Sequence, residues 1–264
     1  MLEIIIIFVL AGLAAGFLAG LLGIGGGFVI VPVLIWALPL AGISQAQVIH
    51  CAIGTSLLCI CVTAISSTRA HHARQSVKWS ILPLIIPGLI TGSLIGSTTA
   101  AYLNDTALVS IFVAGAFATG GYLLSGHSPQ QHPKPSRWPE MLYGTFTGTA
   151  STLMGIGGGS LLVPFLIYRG NKVVESVGTA AACGIPIALF GATGYAIAGW
   201  SEQSVDYAIG YLYWPAFLGI VLFSSLSAPL GAKVAHRISP IYLRRLFAGF
   251  LFLTGLQLIY GHWF

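Results

Sequence analysis

Residues 23–32 read GIGGGFVIVP and residues 155–164 read GIGGGSLLVP. Seven of the ten positions are identical, at an offset of 132. The match extends in both directions. Gly12 and Gly16 fall on Gly144 and Gly148, and Pro83 falls on Pro215. Gly96 pairs with Gly231, Phe112 with Phe247, and Thr119-Gly120 with Thr254-Gly255. Gly54-Thr55-Ser56 resembles Gly178-Thr179-Ala180 after a shorter loop. One glycine run would be weak evidence. The same run twice, each time after an apolar helix, marks an internal duplication. The repeats span residues 1–124 and 140–264. Between them lies SGHSPQQHPKPSRWP, residues 125–139, a polar stretch with four prolines that reads as a linker.

Composition gives the solvent. Only 6% of the 264 residues are charged, 56% are hydrophobic, and the mean hydropathy is +0.90. A soluble domain carries about a quarter charged residues, so this chain is expected in a bilayer. Its 34 glycines suit close helix packing and helix breaks at a cavity. The net charge of +5 does not indicate nucleic acid, because the basic residues lie singly or in small groups between apolar runs. Cys51, Cys59, Cys61 and Cys183 all sit inside apolar segments without zinc-site spacing. No metal and no cofactor is expected.

Each half divides into five apolar segments. They run roughly over 3–22, 28–40, 46–68, 79–100 and 106–124, then 140–154, 160–169, 173–199, 208–232 and 241–262. Most approach the ~20 residues that cross a bilayer. The second segment of each half is shorter and follows directly on the glycines. The expected fold is all-α and polytopic, with about 8–10 transmembrane helices, some Gly-broken or re-entrant. An odd segment count per half makes the second repeat inverted relative to the first.

With alternating segments, all 11 basic residues fall on one side. These are Arg69, Arg74 and Lys78, Lys134 and Arg137, Arg169 and Lys172, and Lys233, Arg237, Arg244 and Arg245. The positive-inside rule makes that side cytoplasmic. The linker is then cytoplasmic and both termini lie outside, in a multi-pass protein of the cytoplasmic membrane. Glu3, Asp105, Glu202 and Asp206 fall on the opposite side. Trp36, Trp79, Trp200, Trp214 and Trp263 lie near segment ends and read as interfacial anchors.

Consecutive glycines cost a helix about 1 kcal/mol each relative to alanine. Gly23, Gly25, Gly26 and Gly27 are therefore expected to unwind the chain at a cavity, as are Gly155, Gly157, Gly158 and Gly159. A new helix starts after each break, and its free N–H groups and dipole form an anion site. Pro32 and Pro164 then limit or kink the new helices. Two such ends facing each other would hold a small oxyanion without a buried Lys or Arg. The competing reading is that the glycines are contact points in tight helix packing.

The substrate residues nominated on this basis are Gly25, Gly26, Gly27, Thr55 and Ser56 in the first half. In the second they are Gly157, Gly158, Gly159, Ser160 and Thr179. The alternative for the hydroxyls is bonding to their own helix. His50, one turn before Thr55, is the candidate for ion coupling. His71 and His72 are expected at the cytoplasmic interface, and Glu175 as a helix N-terminal carboxylate.

The doubled GIGGG–x3–VP stretch, the Gly-Thr that follows each, the length and the polar linker resemble the TauE/SafE family of sulfite and organosulfonate exporters. The resemblance covers nearly the whole chain. It implies a transporter of sulfur-containing anions such as sulfite or sulfoacetate, coupled to H+ or Na+. Ala180 departs from the Gly-Thr-Ser of the first half and makes the halves chemically unequal. The alternatives are a transporter or channel for another small anion or organic acid, and an intramembrane hydrolase. The last needs a nucleophile with a base in reach. Ser160 lacks a Gly-x-Ser-x-Gly setting and its repeat partner is Phe28, so an enzyme is not expected.

Overall fold

The computed structural model describes residues 2–23, 25–125, 137–200 and 206–263. Most of the linker, with Lys134, lies outside the described residues, as does Glu202, and so do the side chains of Arg244 and Trp263.

Among the described residues, apolar runs interrupted by glycine or turn residues become ten helices. In the first half α1 spans Leu2–Leu22, α2 Gly27–Leu40, α3 Gln45–His72, α4 Leu82–Ala100 and α5 Asp105–Leu124. In the second α6 spans Arg137–Met154, α7 Gly159–Tyr168, α8 Val173–Ala198, α9 Trp214–Ala235 and α10 Pro240–Trp263. Among the described residues, six helices are long and apolar enough to cross a membrane: α1, α3, α4, α5, α8 and α9. Helix α6 has 18 residues but carries Thr145, Thr147, Thr149, Ser151 and Thr152. Helix α7 has 10 residues, or about 15 Å of length, half of a ~30 Å hydrocarbon core.

The apolar segment expected over 208–232 begins instead as a hairpin. Strand β1 (Ala208–Ile209) pairs antiparallel with β2 (Leu212–Tyr213), with Ala208 opposite Tyr213. Gly210 turns the chain at φ 56, and α9 starts only at Trp214.

Packing partners exchange between the halves. Helix α1 packs on α9 while α6 packs on α4; α3 pairs with α8, and α5 with α10. Likewise α2 lies on α3 and α7 on α8. Glycine makes the closest of these contacts possible. A Cβ on Gly16 or Gly20 would overlap the α9 carbonyl of Ser224 or Ala228, and one on Gly88 or Gly92 would overlap the α6 carbonyl of Met141 or Thr145. Glycines four apart let two backbones touch, the usual way helices associate where no hydrophobic effect separates them from lipid.

Helices α3 and α8 are the most enclosed spans, and α9 is the least. On α9, Leu218, Leu222, Leu226 and Leu230 form one exposed stripe at four-residue spacing. Such a stripe would be a liability in water and is ordinary against acyl chains.

Candidate functional site

Both glycine runs break their helices in the same way. Gly26 caps α2 at φ 86 and Gly158 caps α7 at φ 74, a left-handed backbone that strains any residue with a Cβ. The carbonyl of Gly26 accepts from the N–H of Val29 and Ile30. The carbonyl of Gly158 accepts from Leu161 and Leu162. The first helical N–H groups, on Gly27 and Phe28 and on Gly159 and Ser160, precede these bonds and lie at the positive end of the helix.

The two breaks touch. A Cβ on Gly25 would lie 3.3 Å from Gly157 Cα, and one on Gly27 would overlap the Gly155 carbonyl and come within 2.8 Å of Ile156 Cα. Carbonyls freed by the breaks are taken up by α3. Ser56 Oγ donates to Gly155 O at 2.8 Å, and Thr63 Oγ1 donates to Gly25 O at 3.0 Å. The two glycine runs therefore meet, and Ser56 is bonded to the second of them.

Thr55 and Thr179 do not join them. Thr55 Oγ1 accepts the N–H of Tyr213 at 2.9 Å, and Thr179 Oγ1 accepts the N–H of Lys78 at 2.9 Å. The neighbouring Gly54 and Gly178 face the carbonyls of Tyr211 and Ser76, where a Cβ would stand 2.8 and 2.7 Å away. Each loop turns one residue earlier through a positive φ, at Gly210 (56°) and Gln75 (59°). The same Gly-Thr pair thus anchors an equivalent loop in each half.

His71, expected at the interface, is fully buried. Its Nε2 lies 2.8 Å from Gly20 O and its backbone carbonyl accepts from Ser76 N. Tyr195 plays the matching part: its hydroxyl donates to Thr152 O, the repeat partner of Gly20, and its carbonyl accepts from Tyr211 N. A packing need, an interhelical donor to α1 or α6, outweighs the polarity that suggested an exposed histidine. His72 is exposed and accepts from Trp79 Nε1. His236 lies beyond α9, with its ring 5.5 Å from that of His71. Partial burial, then the Arg74 charge, holds its pKa below the usual imidazole value.

His50 Nε2 lies 3.0 Å from Ala100 O, and Nδ1 lies 3.8 Å from Asp105 Oδ1. The imidazole sits against Tyr211, ring centroids 5.1 Å apart. Glu175 accepts from the Lys172 N–H and pairs with Lys78 at 3.0 Å, a helix N-terminal carboxylate as expected. A second ion pair joins Arg169, just past α7, to the buried Glu140 of α6.

The polar groups that sequence reasoning missed lie on α6. Ser151 is fully buried, without a hydrogen-bond partner, and its Oγ lies 3.5 Å from where a Cβ on Gly158 would be. Ser160, in the first turn of α7, is likewise buried and unpartnered. Thr152 has the same character but faces Gly191 of α8. Aligning the repeats one turn upstream of the glycines gives the signal: Ser151 and Thr152 stand where the first half has Ala19 and Gly20. Opposite Ser160, the first half has Phe28, buried edge-on against Phe112 at 5.1 Å. Hydroxyls at a helix N-terminus can donate to an anion. A phenyl ring there cannot.

Comparison with known proteins covers nearly the whole length. The family described as sulfite exporter TauE/SafE matches residues 8–258. A probable membrane transporter protein of Haemophilus influenzae is 31% identical, over 98% of this chain and 99% of its own. Probable membrane transporter proteins of Methanocaldococcus jannaschii and Bacillus subtilis (YunE) are each 28% identical, over 95% and 97% of this chain and 94% and 97% of theirs. No solved structure matches the chain.

Proposed function

Because the chain belongs to the sulfite exporter TauE/SafE family and is a polytopic membrane transporter, we propose that it carries a small sulfur-containing anion, such as sulfite or sulfoacetate, bound at the N-terminus of α7. The observation that carries this reading is the pair of buried, unpartnered hydroxyls of Ser151 and Ser160 beside that helix end. A buried hydroxyl without a partner costs about 1–3 kcal/mol. A bound oxyanion relieves that cost and meets the N–H groups and dipole of the helix end. The anion needs no cationic partner, and release is correspondingly easy. Gly157, Gly158 and Gly159 shape the site, while Gly25, Gly26 and Gly27 press the first break against its back.

The exchanged packing partners support two repeats of opposite orientation, with the anion near their interface. The one-sided distribution of Lys and Arg supports a cytoplasmic linker and outward termini in the cytoplasmic membrane. His50, beside Asp105, is the group we assign to proton coupling. His50→Gln should leave anion binding intact and remove the pH dependence of uptake into proteoliposomes; pH-driven transport at the wild-type rate would end that assignment.

The test is a thermal-shift screen of the purified protein against sulfite, thiosulfate, sulfate, sulfoacetate and taurine, with acetate and chloride as controls. A ligand that binds only the folded state raises apparent stability by mass action. We expect a selective shift with a sulfur oxyanion. A shift with acetate alone, or with none of the anions, contradicts the reading.

A further inference from the structure

Two arginines stand at the end of α3 without a carboxylate. Arg69 is in the last helical turn and Arg74 just beyond it, both exposed. Lys78 and Arg169 pair with Glu175 and Glu140. Among the described residues, neither Arg69 nor Arg74 forms an ion pair. Arg74 Nη1 donates to Ala70 O at 2.7 Å, which holds that guanidinium beside α3 and leaves its other N–H groups for a ligand. Both side chains line one open groove of about 440 Å3 between α3 and α9. One and two turns back along α3, the Arg69 face presents the half-exposed Ile65 and Val62, and Pro229 lines the groove from α9. A proline gives Ser225, four residues earlier, no amide donor. Ser66 Oγ donates to that carbonyl instead, at 2.9 Å. The floor is thus satisfied within the protein, and the unmatched chemistry of the groove is positive charge at one end.

The other repeat keeps the apolar residues and lacks the charge. In the register that matches His71 with Tyr195, Val62 falls on Pro186 and Ile65 on Leu189, but Arg69 falls on Thr193 and Arg74 on Ala198. In repeats of opposite orientation these two helix ends face opposite leaflets. The charge is confined to the side proposed as cytoplasmic, where anionic lipids give the membrane surface a negative potential.

Guanidinium groups match a phosphate, which they grip through parallel N–H donors. Inorganic phosphate would meet the arginines and leave Val62 and Ile65 uncovered. A second copy of the chain, in a twofold contact, would set arginine against arginine. A zwitterionic lipid already carries an ammonium beside its phosphate. Resting on the proposed orientation and not on the anion site at α7, we propose that this groove binds an anionic glycerophospholipid. Its phosphodiester lies at Arg69 and Arg74, and one acyl chain runs along Ile65 and Val62.

The test is native mass spectrometry of the purified protein in mixed micelles, with dioleoyl phosphatidylglycerol and dioleoyl phosphatidylcholine as probes. The account expects phosphatidylglycerol to be retained in preference to phosphatidylcholine. Arg69→Gln and Arg74→Gln should each weaken it about fivefold, the worth of one basic residue beside an anionic lipid. Val62→Trp, which fills the apolar part of the groove, should weaken it as well. Arg245→Gln, an exposed change on α10, which packs on α5, should leave it unchanged. Equal retention of the two lipids would overturn the proposal. So would an equal loss in Arg245→Gln, which would show diffuse surface charge, or full affinity in Val62→Trp, which would place the chain elsewhere. Displacement of the lipid by millimolar inorganic phosphate would show a free-anion site, and a lipid-free dimer broken by Val62→Trp would show a second copy in the groove; either result overturns it.

Discussion

The two glycine breaks share a backbone and differ in what surrounds it. Around the first, Ala19, Gly20 and Phe28 leave no free polar side chain, and Phe28 is locked against Phe112. Around the second, the same positions are Ser151, Thr152 and Ser160, all buried and all unpartnered. The ends of the short helices diverge too. Arg169 and Glu140 form an ion pair where the first half has Ala37 and Phe8, both in an apolar cluster. On the proposed function, the duplicated break is scaffold in one half and a binding surface in the other. Left-handed glycines and short helices recur because both halves need the same turn.

The largest effect that tests this contrast is at the ion pair. Arg169→Ala should destabilise the protein by about 3–5 kcal/mol by leaving Glu140 buried without its cation, read as a lowered midpoint in denaturant. The double change Arg169→Met with Glu140→Gln should recover most of that loss. Equal stability of the single variant would mean that the pair is solvated and the two ends of the fold are alike. Next comes the scaffold side. Phe28→Ala should cost about 3 kcal/mol or more, yet keep the anion affinity of the folded fraction within about twofold. A tenfold loss of affinity would show that the first break touches substrate.

On the binding side, Ser160→Ala should weaken sulfite about tenfold, the value of a lost hydrogen bond to a charged group, while raising the thermal stability of the anion-free protein, since an unpartnered hydroxyl is removed. The smallest effects belong to the paired loop anchors. Thr55→Val and Thr179→Val should each lower stability by about 1 kcal/mol and to a similar extent, since each strands one loop N–H. A variant that folds normally but binds no anion would return that threonine to the substrate site.

Much of this fold is legible in the sequence. Apolar runs of about 20 residues have no alternative to a helix in lipid, so segment ends agree with the helices within a few residues. Two exceptions are instructive. The segment over 208–232 hides a hairpin because Ala208, Ile209, Leu212 and Tyr213 are as apolar as the helix that follows. Helix α3 runs on to His72 because Ser67 and His71 find carbonyls of α1, a tertiary contact that local composition does not contain. The site is legible as a neighbourhood only. The glycines mark the break, but the partner of each hydroxyl depends on which helix arrives beside it. Ser56 meets the Gly155 carbonyl and Thr55 a loop N–H, while Ser151 meets nothing. The match between His71 and Tyr195 is invisible at the level of residue type, since an imidazole and a phenol fill the same bonding role.

The central claim is that one anion binds per chain, at the second break. Isothermal titration of the purified protein with sulfite, beside the Ser151→Ala/Ser160→Ala double variant, tests it most directly. The account predicts one site per chain and an affinity reduced about a hundredfold in the variant. Two equivalent sites, or a variant that binds as tightly as the native protein, would contradict it.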